Sequence, residues 1–290
     1  MVLASWLFAT MGVTVKMASA LYGTGEIVFY RGLIGVLLML VWARLQGCSL
    51  RTTVPAMHFW RGLSGVCALI LWFYSIGQLP LATAVTLNYM SSVWMALFLL
   101  GGAVMLGAAR VDGRLVATVM LGFAGVVLVL RPTLEQNQLW GGLTGLLSGI
   151  LSALAYLQVT ALGRAGEPEP RIVFYFSLGG IAAGALVTGV AGSVHAHTLH
   201  GAALLLATGM LATVAQLMMT RAYAIGRTLA NASLQYLGIV FSFVYGVWLF
   251  DDPVSPMALA GMALIVGAGL GATLLRQRST PASDGPPTES

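Results

Sequence analysis

The sequence predicts an all-α membrane protein with ten transmembrane helices, arranged as two inverted five-helix repeats. Three observations predict it: composition, the length of the apolar runs, and a pair of landmarks that recurs in each half. Of the 290 residues, 58% are hydrophobic and 8% are charged, where a soluble domain carries about 25% charged residues. Mean hydropathy is +0.90. A soluble globule of this size has no means of hiding so much apolar side chain from water. A β-barrel would read as short alternating segments. Here the runs are about 20 residues long, the length of a helix crossing ~30 Å of hydrocarbon.

Taken in order, the runs fall near 2–20, 26–45, 57–78, 81–105, 112–131, 140–163, 171–191, 199–224, 228–250 and 254–275. Prolines mark their edges: Pro55, Pro80, Pro132, Pro168, Pro170, Pro253 and Pro256 lie between runs or at their ends, where a missing N–H costs nothing. Run one is a retained helix rather than a signal peptide. Its start has no basic residue, and Lys16 sits where such a peptide is most apolar, although Ala18-Ser19-Ala20 resembles a cleavage site. The segment 276–290 is polar and rich in Ser, Thr and Pro, and is predicted to be a disordered cytoplasmic tail.

Ten helices put both termini on one side. Eleven of the fourteen Lys and Arg residues fall in or beside loops on that side, Arg61 and Arg221 among them. Lys16, Arg31 and Arg131 are the exceptions. Lys and Arg favour cytoplasmic loops, so both termini are predicted to be cytoplasmic, in the inner membrane. The net charge of +5 is spread singly along the chain, so nucleic acid is not an expected partner. Cys48 falls in a loop and Cys67 in an apolar run, which argues against a disulfide.

The internal repeat pairs Tyr74-Ser-Ile-Gly77 and Leu87-Asn88-Tyr89 with Tyr223-Ala-Ile-Gly226 and Leu234-Gln235-Tyr236, at the cost of one gap. It divides the chain into 1–131 and 139–275. Five helices is an odd number, so the second half enters the membrane from the opposite side. Inverted repeats of this kind are a transporter architecture, with the site near the midplane where the halves meet.

At this level the chain resembles the drug/metabolite transporter superfamily, and within it proteins with two EamA domains. The residues that carry the resemblance are Trp6 through Lys16, Phe29-Tyr30-Arg31-Gly32, Arg61-Gly62 and Phe73 through Ala84 with its Leu79-Pro80-Leu81-Ala82. Gly122 through Leu128 and Gly261 through Gly267 close the two halves. The resemblance covers nearly all of 1–275 and implies a central cavity, alternating access, and small organic substrates such as amino acids, nucleotide-like metabolites or vitamins. It departs at Leu106-Gly107-Ala108-Ala109-Arg110, where the family often has a Gly-Glu pair; the second half has Phe250-Asp251-Asp252.

Polar side chains within apolar runs are the candidate substrate contacts, because they are costly in hydrocarbon and face the bundle interior. These are Lys16, Tyr74, Asn88, Tyr89, Ser92, Trp94, Tyr156, Gln216, Gln235 and Tyr236. Asn88 and Gln235 occupy matching positions, each about 10 Å into its helix at 1.5 Å per residue. Their amides both donate and accept, which suits a zwitterionic or heteroaromatic solute; the competing role is an interhelical hydrogen bond. Ser148, Ser152 and Tyr156 step by four and share one helix face, beside Gly145 and Gly149. Lys16 either snorkels to the surface or meets a substrate carboxylate or phosphate. Gly101, Gly102, Gly122, Gly125, Gly261, Gly267 and Gly269 are candidates for close helix contacts.

Glu26, Asp251 and Asp252 read as membrane-edge residues, so no buried carboxylate relay is visible. His195, His197 and His200 fall in one loop, with no cysteine or carboxylate to complete a metal set. No cofactor is called for. The expected function is a small-molecule transporter, monomeric or homodimeric, that acts in efflux as a uniporter, exchanger or proton-coupled exporter. A channel or an integral-membrane enzyme is the alternative, but no filter, ring of charge or catalytic motif supports either.

Overall fold

The computed structural model describes residues 1–105, 117, 120–129, 138–192, 194–225, 231 and 234–279. Expectations for Gly107, Arg110, Arg114, Arg131, Pro132, Gly226, Arg227 and residues 280–290 lie outside the described residues. Each of the ten apolar runs carries helix, and no strand is found among the described residues. The helices are α1 (Val2–Ala18), α2 (Thr24–Gln46), α3 (Pro55–Gln78), α4 (Leu81–Tyr89) and α5 (Ser91–Met105). They continue with α6 (Met120–Val129), α7 (Leu139–Arg164), α8 (Glu169–Ala191), α9 (Leu199–Ile225), α10 (Leu237–Phe250) and α11 (Pro256–Ser279).

Among the described residues six spans are long and apolar enough to cross a membrane: α2, α3, the α4–α5 pair as Leu81–Gly102, α7, α8 and α9. Large apolar side chains such as Leu37, Val41, Phe59, Trp60, Leu186 and Trp248 are exposed on their outer faces. Lipid is the solvent that accepts such a surface. The chain is an integral membrane protein.

Helix ends follow from local chemistry. At the start of α2 the Glu26 carboxylate accepts the Gly23 N–H at 2.8 Å and so satisfies one of the orphan donors of a helix N-terminus. α3 and α8 carry proline in their first turn, where no donor is needed. The fourth run departs from an uninterrupted helix: the chain turns at Met90, directly after Asn88 and Tyr89. A matching turn occurs at Tyr236, directly after Gln235 and before α10.

Packing places α2 against α8, α1 against α9, α3 against α7, and α4 against α10. α2 and α8 are antiparallel and cross at glycines. A Cβ on Gly32 would lie 2.7 Å from the Ser177 carbonyl oxygen, and one on Gly184 would lie 2.5 Å from the Phe29 nitrogen. The backbones touch because no side chain separates them. Gly125 of α6 and Gly261 of α11 meet the same way, each blocking a Cβ on the other. Gly122 sits near Ala268, whereas a Cβ on Gly101, Gly102 or Gly267 would meet no described neighbour within 4 Å.

The α2–α8 crossing predicts that Gly184→Ala lowers the melting temperature of the detergent-purified protein, at a cost of about 1–3 kcal/mol for overpacking. Gly62→Ala, whose new Cβ meets nothing within 4 Å, is expected to melt no lower than the wild type. Equal melting of the two variants would contradict this account.

Candidate functional site

The helices α1, α2, α3, α4, α7, α8 and α9 converge on a small internal cavity of about 40 Å³. Its polar lining comes from Arg31, Arg61, Asn88, Ser152, Tyr156 and Gln216, and its apolar lining includes Phe8, Leu69, Trp72, Phe176 and Met219. Three of the ten residues expected from sequence, Asn88, Tyr156 and Gln216, line it directly. Asn88 donates its Nδ2 to Ser148 Oγ at 2.9 Å and to Ser152 Oγ at 3.1 Å. The shared face of Ser148 and Ser152 is therefore the acceptor for the α4 amide. A Cβ on Gly149 would lie 2.7 Å from the Leu87 carbonyl oxygen, so this glycine lets α4 come close enough for the bond. Tyr156 stacks on Tyr223 with ring centroids 5.2 Å apart and contacts Ser152 and Gln235. Gln216 is buried, and its Nε2 has no hydrogen-bond partner.

Five more candidates, Gln235, Tyr236, Ser92, Tyr89 and Trp94, form the layer behind the lining. Gln235 supports Tyr156 and Tyr223. Tyr236 contacts Ser92, and Tyr89 lies against Gly238. Trp94 packs edge-on against Phe123 at 5.2 Å. Two candidates lie elsewhere. Tyr74 is exposed on the outside of the bundle. Lys16 pairs with Asp252 (Nζ to Oδ1, 2.7 Å) and sits 4.5 Å from the Phe250 ring centroid. The other oxygen of Asp252 accepts the Leu81 N–H at 2.8 Å, so one carboxylate ties α1, α4 and the end of α10 together.

Arg31 and Arg61 were not among the expected contacts, and they dominate the cavity. Two turns into α2 and α3 respectively, they are 4% and 3% exposed. Arg61, expected in or beside a loop at the start of its helix, is instead buried inside α3. Their guanidinium carbons lie 4.9 Å and 4.2 Å from the centroid of the same ring, Phe176. The Arg61 guanidinium covers Gly65 and fills the space a Cβ would take. No described carboxylate lies within ion-pair distance of either arginine. The nitrogens Arg31 Nε, Arg61 Nε and Arg61 Nη1 are buried and unpartnered. The available signal was a charge inside an apolar run, which marks a functional group by default. Its strength was lost because both residues sit near the ends of their runs.

The acids lie at the two ends of the bundle. Where α2 begins, the buried Glu26 accepts His195 Nδ1 at 2.6 Å and the His195 backbone N–H at 2.9 Å. His197 packs against Tyr22 and Tyr30. At the opposite end, His58 Nε2 donates to Glu167 Oε2 at 2.9 Å, and Arg171 Nη1 donates to Glu167 Oε1 at 3.1 Å. Arg171 also reaches the Ser49 carbonyl oxygen at 2.8 Å. Among the described residues no three His, Cys, Asp or Glu side chains are placed to hold a metal ion.

Comparison with known proteins bears on the family and the fold. No family model matches the chain. It is 34% identical over 274 residues to the pseudopaline exporter CntI of Pseudomonas aeruginosa, covering 92% of each chain. The chain belongs to the CntI family of membrane transporters. It is also 26% identical to an "uncharacterized transporter" of Helicobacter pylori strain J99, covering 92% of this chain and 91% of that one. A crystal structure 21% identical to it has the same fold, with a TM-score of 0.69, covering 95% of this chain and 96% of the other.

The Glu167 cluster generates a pH prediction. Burial raises the Glu167 carboxyl, but the His58 hydrogen bond and the Arg171 charge outweigh it and leave the group below its ordinary value of 4.5. A depressed carboxyl stabilises the fold above its unfolded value, and that stability is lost as pH falls through the folded value. Melting temperature is therefore expected to drop as pH goes below 4.5. Glu167→Gln is expected to lose about 2 kcal/mol at neutral pH and much of the acid dependence. An unchanged acid profile in that variant would refute the assignment.

Proposed function

We propose that this chain exports a small organic metabolite across the inner membrane by alternating access around the Arg31–Arg61 cavity. The carrying observation is the cavity itself: polar, cationic, and walled by helices from both halves of the chain. The CntI relative supports the direction, since that protein is named an exporter and aligns over 92% of both chains.

The inverted repeat belongs to the same reading. If α1, α2, α3, α5 and α6 correspond to α7, α8, α9, α10 and α11, exchanging the halves maps major packing pairs onto one another. The α1–α9 pair maps onto α7–α3, α1–α10 onto α7–α5, and α2–α9 onto α8–α3. The α2–α8 pair and the Gly125–Gly261 contact map onto themselves. The turns at Met90 and Tyr236 correspond as well. Interrupted helices at the repeat interface are a feature of transporter sites. This supports membership of the EamA branch of the drug/metabolite superfamily, with repeats 1–131 and 139–275 and both termini cytoplasmic.

Alternating access is tested with Ala155→Cys, a buried lining position, in a Cys48→Ser/Cys67→Ser background. The expected result is labelling by an impermeant maleimide from either side of oriented membrane vesicles. Cross-linking a Lys16→Cys/Asp252→Cys pair is expected to abolish labelling from the side where that pair lies and leave the other side reactive. Labelling from both sides after the cross-link would indicate a channel and overturn the proposal.

A further inference from the structure

The structure assigns a substrate class to this cavity: a small organic dianion carrying two carboxylates, one for Arg31 and one for Arg61. The assignment rests on reading the cavity as the transport site.

The argument begins with the unmatched charge. Two guanidiniums face one cavity and are almost wholly buried, yet neither has an acid partner. A buried cation is retained where it is paired or where a ligand pairs it. The acids among the described residues that might have served are committed elsewhere: Glu26 to His195, Glu167 to His58 and Arg171, and Asp252 to Lys16. No described acid supplies the counter-charge, which leaves that part to a ligand.

Geometry then selects the form of the anion. The arginines come from different helices, and both guanidiniums pack against the same phenyl ring. Their guanidinium carbons are separated by at most the sum of their 4.9 Å and 4.2 Å distances to that ring. A short dicarboxylate spans such a gap with one carboxylate at each fork, the planar pairing that arginine favours. Phe176 and Leu69 line the same cavity and offer apolar surface to a carbon linker once the walls part to admit it. The free Gln216 Nε2 and the Asn88 amide offer polar contacts to a substituent.

The test measures binding to the detergent-purified full chain by calorimetry and thermal shift. The probes are the linear dicarboxylates from succinate to pimelate, their neutral diamides, and phenyl phosphate. At least one dicarboxylate is expected to bind saturably and to raise the melting temperature, with its diamide at least 10-fold weaker. Arg31→Gln and Arg61→Gln are each expected to weaken that dicarboxylate at least 10-fold while melting no lower than the wild type without ligand, because each removes a buried unpaired charge. Arg61→Lys is expected to recover part of the affinity. Binding of no dicarboxylate, equal binding of diamide, tighter binding of phenyl phosphate, or an intact affinity in both glutamine variants would overturn the assignment. Alternating labelling of Ala155→Cys with no dicarboxylate bound would remove only the substrate class. Dicarboxylate binding without alternating labelling would remove the transport reading and leave the ligand site.

Discussion

Two buried cations without counter-ions are the constraint around which this bundle is built. A charge taken out of water loses hydration worth several kcal/mol even after relaxation. Two unit charges no farther apart than Arg31 and Arg61 also repel by about 2 kcal/mol at an effective dielectric of ~20. The fold offsets part of this with the face of Phe176, since an aromatic ring attracts a guanidinium by about 1–2 kcal/mol when water is excluded. Gly65 provides the room in which Arg61 lies. The remaining imbalance is localised at the cavity, where a ligand can relieve it.

Carboxylates are placed to keep the centre unmatched. Asp252, Glu26 and Glu167 each accept two or more hydrogen bonds, and each sits at an end of the helices. They join helix termini where the polar backbone groups also need partners. One end is tied by Lys16–Asp252 and by Glu26–His195, and the other by the His58–Glu167–Arg171 cluster. The ends are held by polar contacts that can break and reform, whereas α2 and α8 are in backbone contact through glycine at the level of the cavity. In the proposed cycle that glycine crossing is the pivot and the polar ends are the gates.

Most of the fold was legible in the sequence, because apolar run length and proline position are dictated by hydrocarbon thickness and by the backbone donor count. The shared face of Ser148 and Ser152 was legible from their four-residue step, but its pairing with the Asn88 amide came only from the packing of α4 on α7. The cavity charge was not legible. Arg31 and Arg61 lie near the ends of apolar runs, and in a one-dimensional reading such positions are indistinguishable from snorkelling surface residues. Only the packing of α8 between α2 and α3, which brings Phe176 to both, makes them interior. Lys16 was misleading for the opposite reason. It sits inside a run but finds its acid across 236 residues of sequence, a distance that no local pattern spans. Tyr74 shared the repeat landmark, but its side chain falls on the outer face of α3.

The most direct test of the central claim is counterflow in proteoliposomes loaded with an unlabelled dicarboxylate and presented with the same compound in radiolabelled form. The account predicts saturable accumulation by the wild type, loss of it in Arg61→Gln at equal protein incorporation, and partial return in Arg61→Lys. Accumulation by Arg61→Gln at the wild-type rate would contradict the claim that the buried arginine pair is the site through which the substrate passes.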